Sequence, residues 1–224
     1  MYPRLIVFDF DGVIADSEVL ANAVLAEFVT ELGVPISVDD SLRTFVGRRL
    51  ADVMESIGAM TGQPLAPDAA ADFMRRTLAR FRTHLQPVPG VHEYLASIEG
   101  VARCIASSSP PDRLAVCLDV IGLADRFGSH VYSASLVPRG KPDPDLFLHA
   151  ADRCGVAPAD ALVIEDSENG VRAGIAAGMT TIGFLGASHI RDGDEARLRC
   201  AGAHHIARTY RDVDRITRAL AVKD

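Results

Sequence analysis

Two carboxylates spaced two residues apart close a short apolar run near the amino terminus, Leu5-Ile6-Val7-Phe8-Asp9-Phe10-Asp11-Gly12. A continuous apolar run ended by a glycine turn reads as an interior strand of a parallel sheet. Ligands of open α/β sheets gather at the carboxyl ends of such strands. Residues i and i+2 of a strand share a side, so Asp9 and Asp11 are expected to face one pocket. Two charges about 4 Å apart repel by roughly 4 kcal/mol at an effective dielectric near 20. The pair therefore calls for a cation, a shared proton or both.

Three further segments carry compatible chemistry. Cys104-Ile105-Ala106-Ser107-Ser108-Ser109-Pro110-Pro111 passes from a strand through three hydroxyls into a helix whose first turn accepts proline. Ser107 and the amides after it, Ser108 first, suit an anion at a helix N-terminus. Gly140-Lys141-Pro142-Asp143-Pro144 is a stiff loop carrying one compact cation, Lys141. Leu162-Val163-Ile164-Glu165-Asp166-Ser167-Glu168-Asn169-Gly170 is another apolar strand ending in acids. Asp166 there is placed to complete an oxygen-rich Mg²⁺ site with Asp9. Taken singly, each has an ordinary explanation: an Asp-Gly turn, serine or aspartate helix caps, a solvated loop lysine. Together they supply a nucleophile, an acid/base, a metal site and positive charge for phosphoryl oxygens.

The elements that must position these residues divide the chain. From about Ile14 to Gln86 there is no good strand but several amphipathic helices. The first is expected to be capped by Asp16 or Ser17, to carry Leu20, Val24, Phe28 and Leu32 on one face, and to stop at Gly33. Others fit Asp39 to Val46, Leu50 to Thr61 and Pro67 to Leu85. After Pro87-Val88-Pro89-Gly90, short strands alternate with helices: Val101 to Ala106, His130 to Tyr132, Ala161 to Ile164, Thr180 to Phe184 and a weak His204 to Ala207. A parallel sheet needs the first strand as well. The chain thus reads as an α/β core of residues 1–13 and 90–224, with residues 14–89 inserted as an α-helical cap.

At 224 residues, 48 % hydrophobic and 24 % charged, the chain has ordinary globular composition. A net charge of −7 argues against a generic nucleic-acid binder, which needs a basic face. Cys104, Cys117, Cys154 and Cys200 are far apart, with no CxxC pair, and read as reduced packing residues. The first apolar run is too short for a signal peptide, and no run approaches the ~20 apolar residues of a membrane span. The expected setting is the cytoplasm, with a small-molecule partner, no nucleic acid and no membrane, and a monomer.

In their order along the chain, Asp9-Phe10-Asp11-Gly12-Val13, Ser107, Lys141 and Glu165-Asp166 resemble the four motifs of the haloacid-dehalogenase-like superfamily. The likeness is to the subgroup with β-phosphoglucomutase and sugar-phosphate phosphatases, and it covers essentially the whole chain. The resemblance implies a Rossmann-like three-layer core with a helical cap. It implies Asp9 as nucleophile forming an aspartyl-phosphate, and Asp11 as the group that protonates the leaving oxygen and later deprotonates water. It implies Mg²⁺ held by Asp9, the backbone carbonyl of Asp11 and Asp166, with Glu165 acting through water. Ser107, the amide of Ser108 and Lys141 would bind the transferring phosphoryl group. On physical grounds Asp9 needs suppressed basicity and Asp11 a raised pKa. Dehalogenases of the superfamily lack an acid at the Asp11 position, which disfavours carbon–halogen chemistry here.

In this subgroup the cap reads the leaving group. Arg48 and Arg49, at a loop-to-helix junction, and Arg75 or Arg76 on the later cap helix are the basic candidates. Mutase-like members carry a histidine where this chain has Ala21, which disfavours a phosphomutase. The expected substrate is a small phosphorylated sugar or a sugar acid of the 6-phosphogluconate kind. A phosphomutase and a sugar-phosphate-binding module without turnover are the alternatives.

Overall fold

The computed structural model describes residues 3–46, 48 and 50–220. The chain runs β1 (Leu5–Phe8), α1 (Glu18–Glu31), α2 (Val38–Phe45), α3 (Leu50–Thr61), α4 (Ala69–His84), α5 (Val91–Ser97) and β2 (Ala102–Ser107). It continues through α6 (Pro111–Val120), α7 (Ala124–Phe127), β3 (Val131–Ser133), α8 (Asp145–Arg153), β4 (Ala161–Glu165) and α9 (Glu168–Ala176). Last come β5 (Thr180–Phe184), α10 (Asp194–Cys200), β6 (His205–Ala207) and α11 (Tyr210–Leu220).

The strands form one parallel sheet in the order β3-β2-β1-β4-β5-β6. Its centre shows why β1 is apolar throughout. Ile6 and Phe8 pack with α5, α6, α7 and α11, whereas Leu5 and Val7 pack with α8 and α9. Side chains alternate between faces along a strand, so one buried on both sides has no polar position left. The result is the three-layer α/β/α core expected from the alternation of strands and helices. The strand order reverses between β1 and β4, the point at which open α/β sheets place their ligands.

Helices α1 to α4 lie between β1 and β2 and build a separate apolar cluster from Val24, Phe28, Val29, Phe45, Val53, Ile57 and Phe73. The two chain segments that join this block to the sheet pair with each other. Asp16 N–H donates to Gln86 O at 3.0 Å and Val88 N–H to Ile14 O at 2.9 Å, with an antiparallel bridge from Ala15 to Pro87.

Several expectations need correction. Ser17 holds the N-cap position of α1, but its hydroxyl makes no cap bond and donates to Asp11 instead. Leu32 lies beyond α1 and is exposed, because the helix ends at Glu31. Cys104 and Cys117 are buried, Cys154 is half-buried, and Cys200 is exposed, so Cys200 is not a packing residue. Among the described residues no helix is long and apolar enough to cross a membrane.

Candidate active site

The carboxyl ends of β1 and β4 lie side by side, because Phe8 is in register with Ile164 and Asp9 N–H donates to Ile164 O at 2.9 Å. Asp9 therefore meets Glu165 and Asp166. One carboxylate oxygen from each of the three falls within 4.8 Å of the others. Lys141, from the loop before α8, enters the same space: Nζ is 2.5 Å from Asp9 Oδ1 and 2.6 Å from Glu165 Oε1, with its side chain only 4 % exposed. The ammonium also lies 4.9 Å from the Phe147 ring centroid, an apolar wall that fixes its approach.

Three buried carboxylates face one buried cation, and the protonation equilibria record the imbalance. Burial, aided by Glu165 and against the pull of Lys141, pushes the Asp9 carboxyl up to about 7. Burial, with Glu165 and Asp9 beside it, drives Asp166 well above the ordinary carboxylate range. For Lys141 burial opposes the charge, but Asp9 and Glu165 outweigh it and raise its pKa. An all-oxygen set carrying surplus negative charge fits a hard divalent cation such as Mg²⁺.

Neighbouring residues hold these acids in place. Glu165 Oε2 accepts from Ser167 N–H at 2.8 Å and Ser167 Oγ at 2.9 Å. A Cβ on Gly170 would lie 1.7 Å from Glu165 Oε1, so the first turn of α9 must carry glycine there. His189 Nε2 is 3.3 Å from Asp166 Oδ2, and burial lowers its pKa to about 4, so the imidazole is neutral at pH 7.

Asp11 has different partners. Its Oδ1 accepts from Ser17 Oγ at 2.5 Å and from Arg113 Nη2, and its Oδ2 accepts from Ser109 Oγ at 2.6 Å. Burial pushes its carboxyl up, but the Arg113 guanidinium and the two hydroxyls outweigh that and set it below the ordinary value. Asp9 is thus the raised member of the pair and Asp11 the lowered one, the reverse of the expectation. Asp11 lies beyond the end of β1 at Phe8, bridged to Ala15 just before Gly12 turns the chain at φ +76°, and so takes partners of its own.

Ser107, at the end of β2, is buried and its Oγ accepts from Ser109 N–H at 3.0 Å; Ser108 between them is exposed. Both flank the Asp11 partner set. Arg75 and Arg76 are committed elsewhere: Arg75 pairs with Asp72, and Arg76 pairs with Glu31 and Asp72. Arg48 donates to Asp52 O and Ser56 Oγ, and Arg49 lies outside the described residues. Ser17, Ser109, Arg113 and His189 were not expected at the site, nor was Glu18, whose carboxyl is pushed up to about 7 by burial and the nearby Asp11. Ser17 gave a signal only as a helix cap, and the serine triplet 107–109 did not distinguish Ser109 from its neighbours.

Residues 3–178 match the family model of haloacid dehalogenase-like hydrolases. The chain belongs to this family. Among relatives of this haloacid dehalogenase-like hydrolase, 6-phosphogluconate phosphatase of Escherichia coli is 27 % identical over 185 residues, covering 82 % of this chain and 83 % of the relative. Hexitol phosphatase B of the same species is 32 % identical over 182 residues, covering 79 % and 81 %. The crystal structure of a family hydrolase from Deinococcus radiodurans, with bound phosphate and sodium, superposes with a TM-score of 0.81 at 32 % identity, covering 99 % of this chain and 96 % of that one.

Proposed function

We propose that this hydrolase is a Mg²⁺-dependent phosphomonoesterase that acts on a small phosphorylated sugar or sugar acid. The observation that carries the reading is Asp9 at the end of β1, buried against Lys141 and within reach of Glu165 and Asp166. Relatives named for phosphatase activity on 6-phosphogluconate and hexitol phosphates support it.

In this reading Asp9, the backbone carbonyl of Asp11 and Asp166 would hold the cation, with Glu165 acting through water. When bound, Mg²⁺ would supply the positive charge that offsets the surplus of carboxylates, so that Asp9 would stay ionised at neutral pH. Lys141, Ser107 and the amide of Ser108 bind the phosphoryl oxygens. An oxygen of Asp9 attacks phosphorus, the ester P–O bond breaks, and the leaving oxygen takes a proton from Asp11, giving an alcohol and an aspartyl-phosphate. Water then attacks phosphorus, passes its proton to Asp11, and the bond to Asp9 breaks to release phosphate. The arriving phosphate ester brings negative charge beside Asp11 and raises its lowered pKa toward that of a proton donor.

Residues 14–89 act as a cap over the core of residues 1–13 and 90–224, hinged at the paired strands of linker near Ala15 and Pro87. Ala21, partly buried against the core, carries no proton-transfer group, which favours hydrolysis over mutase chemistry.

The test is a panel of sugar, sugar-acid and hexitol phosphates with purified protein and Mg²⁺. Free phosphate should appear with at least one, and Asp9→Asn should lower the rate by about a thousandfold or more. No phosphate release, or an unchanged Asp9→Asn variant, rejects the reading. Conversion of a sugar 1-phosphate to a 6-phosphate without free phosphate would transfer the protein to the mutases.

A further inference from the structure

We propose that Arg113 is a positioning residue for Asp11, a clamp that fixes the carboxyl group for proton delivery to the leaving oxygen; the inference rests on the assignment of Asp11 as proton carrier. Arg113 lies in the first turn of α6, just after the serine triplet that ends β2. Its side chain is 15 % exposed, as is nearly the case for Asp11 at 14 %, so the ion pair between them is buried. The guanidinium carbon is 5.2 Å from the ring centroid of Phe81, itself fully buried near the end of α4. Its Nε is buried without a hydrogen-bond partner.

As a stabilising device this arrangement is poor. A buried ion pair costs desolvation that a well-packed apolar pair would avoid, and the unpartnered Nε adds to that cost. What the guanidinium accomplishes is geometric. Asp11 Oδ1 is shared between Ser17, beside the helical block, and Arg113, on the core, while Oδ2 is held by Ser109. Three donors from three segments leave the carboxyl no free rotation. The Phe81 face fixes the guanidinium plane in turn and ties it to α4, so the orientation of Asp11 depends on the helical block as well as the core.

A clamp on the proton donor matters in proportion to how much the leaving oxygen needs a proton. An alkyl phosphate leaves as a strongly basic alkoxide unless protonated, whereas p-nitrophenolate leaves unaided. The readout is therefore first-turnover release of the leaving group, measured by quenched flow with Mg²⁺, for a sugar phosphate and for p-nitrophenyl phosphate. Arg113→Met should slow sugar release by about 100-fold and the p-nitrophenol burst by no more than about threefold, in line with the usual worth of general acid catalysis. Arg113→Lys, which keeps the buried charge and the fold, should slow sugar release by about tenfold and leave the burst unchanged.

Asp11→Asn is the control. If it slows both esters equally, the assignment of Asp11 as proton carrier fails. If it discriminates between them while Arg113→Met and Arg113→Lys slow both equally, or slow neither, the clamp is overturned and Asp11 stands.

Discussion

Gly12 and Asp166 fit against one another so closely that a Cβ on residue 12 would lie 1.7 Å from Asp166 Oδ2. The two are far apart in sequence and come together because β1 and β4 are neighbours. Gly12 also sits at φ +76°, which side chains with a Cβ rarely adopt. Gly12→Ala should therefore displace Asp166 and weaken Mg²⁺ binding by about tenfold or more, the usual cost of disturbing a ligand's support. Titration calorimetry of wild type and variant checks this, and an unchanged affinity would show that Asp166 is not a ligand.

Lys141 is the cation that Asp9 and Glu165 share. Lys141→Met leaves two buried carboxylates without it, and removing one partner of a buried ion pair costs about 3–5 kcal/mol. In a chain of this size that is a fall of roughly 10 °C in melting temperature. Lys141 also restrains the rise of the Asp9 carboxyl, now about 7. Its loss sends that value higher, so the acid limb of the kcat/KM profile should move to more alkaline pH. An unmoved limb would mean that Asp9 does not titrate in that profile.

Asp11 takes hydroxyl donors from Ser17 and Ser109. Hydrogen bonds to a charged group are worth about 1.5–3 kcal/mol, and Ser17→Ala and Ser109→Ala should each cost about that in denaturant unfolding. Because both act on one carboxylate, the double variant should depart from the sum by about 0.5 kcal/mol or more. Strict additivity would show that the two bonds do not act on a common group.

These partners mark the limit of what the sequence discloses. The sheet was legible because a strand buried on both faces must be largely apolar, and β5 falls at Thr180–Phe184 as read; the helical spacing of apolar residues likewise placed α3 at Leu50–Thr61. Edges slip where turn and cap chemistry decide, as at Pro67 and Asp68, which precede α4. Asp9, Lys141, Glu165 and Asp166 were legible as strand-end and loop charges, and the register of β1 with β4 brings three of them together. Arg113 was not. It meets Asp11 from 102 positions away, and in sequence it is one more arginine on an amphipathic helix. The lowering of Asp11 follows from that pairing and the raising of Asp9 from its burial, so no local pattern could reveal the contrast.

The acid cluster makes stability depend jointly on pH and metal. Asp9 is raised from 3.8 to about 7, Glu18 from 4.5 to about 7, each chiefly by burial, and Asp166 moves the same way. Between its ordinary and its folded value each group binds more proton in the folded than in the unfolded chain. Stability from these groups is therefore full below the ordinary values and is lost as pH rises toward 7. Asp11, lowered, and His189, lowered to about 4, act in the opposite direction, so the metal-free curve alone does not isolate the cluster. The Mg²⁺-induced shift does, because the ion competes with protons for Asp9 and Asp166. At pH 8 and a concentration about 100 times Kd, linkage gives about 2.7 kcal/mol. That corresponds to a rise of about 5–10 °C in melting temperature. At pH 5.5, below the raised value of Asp9 and with Asp166 shifted in the same direction, the shift should shrink to a small fraction of this, and in Asp166→Asn it should be largely lost at both pH values. Differential scanning fluorimetry across pH with and without Mg²⁺ makes the comparison, and an equal shift at pH 5.5 and pH 8 would place the bound ion away from these carboxylates.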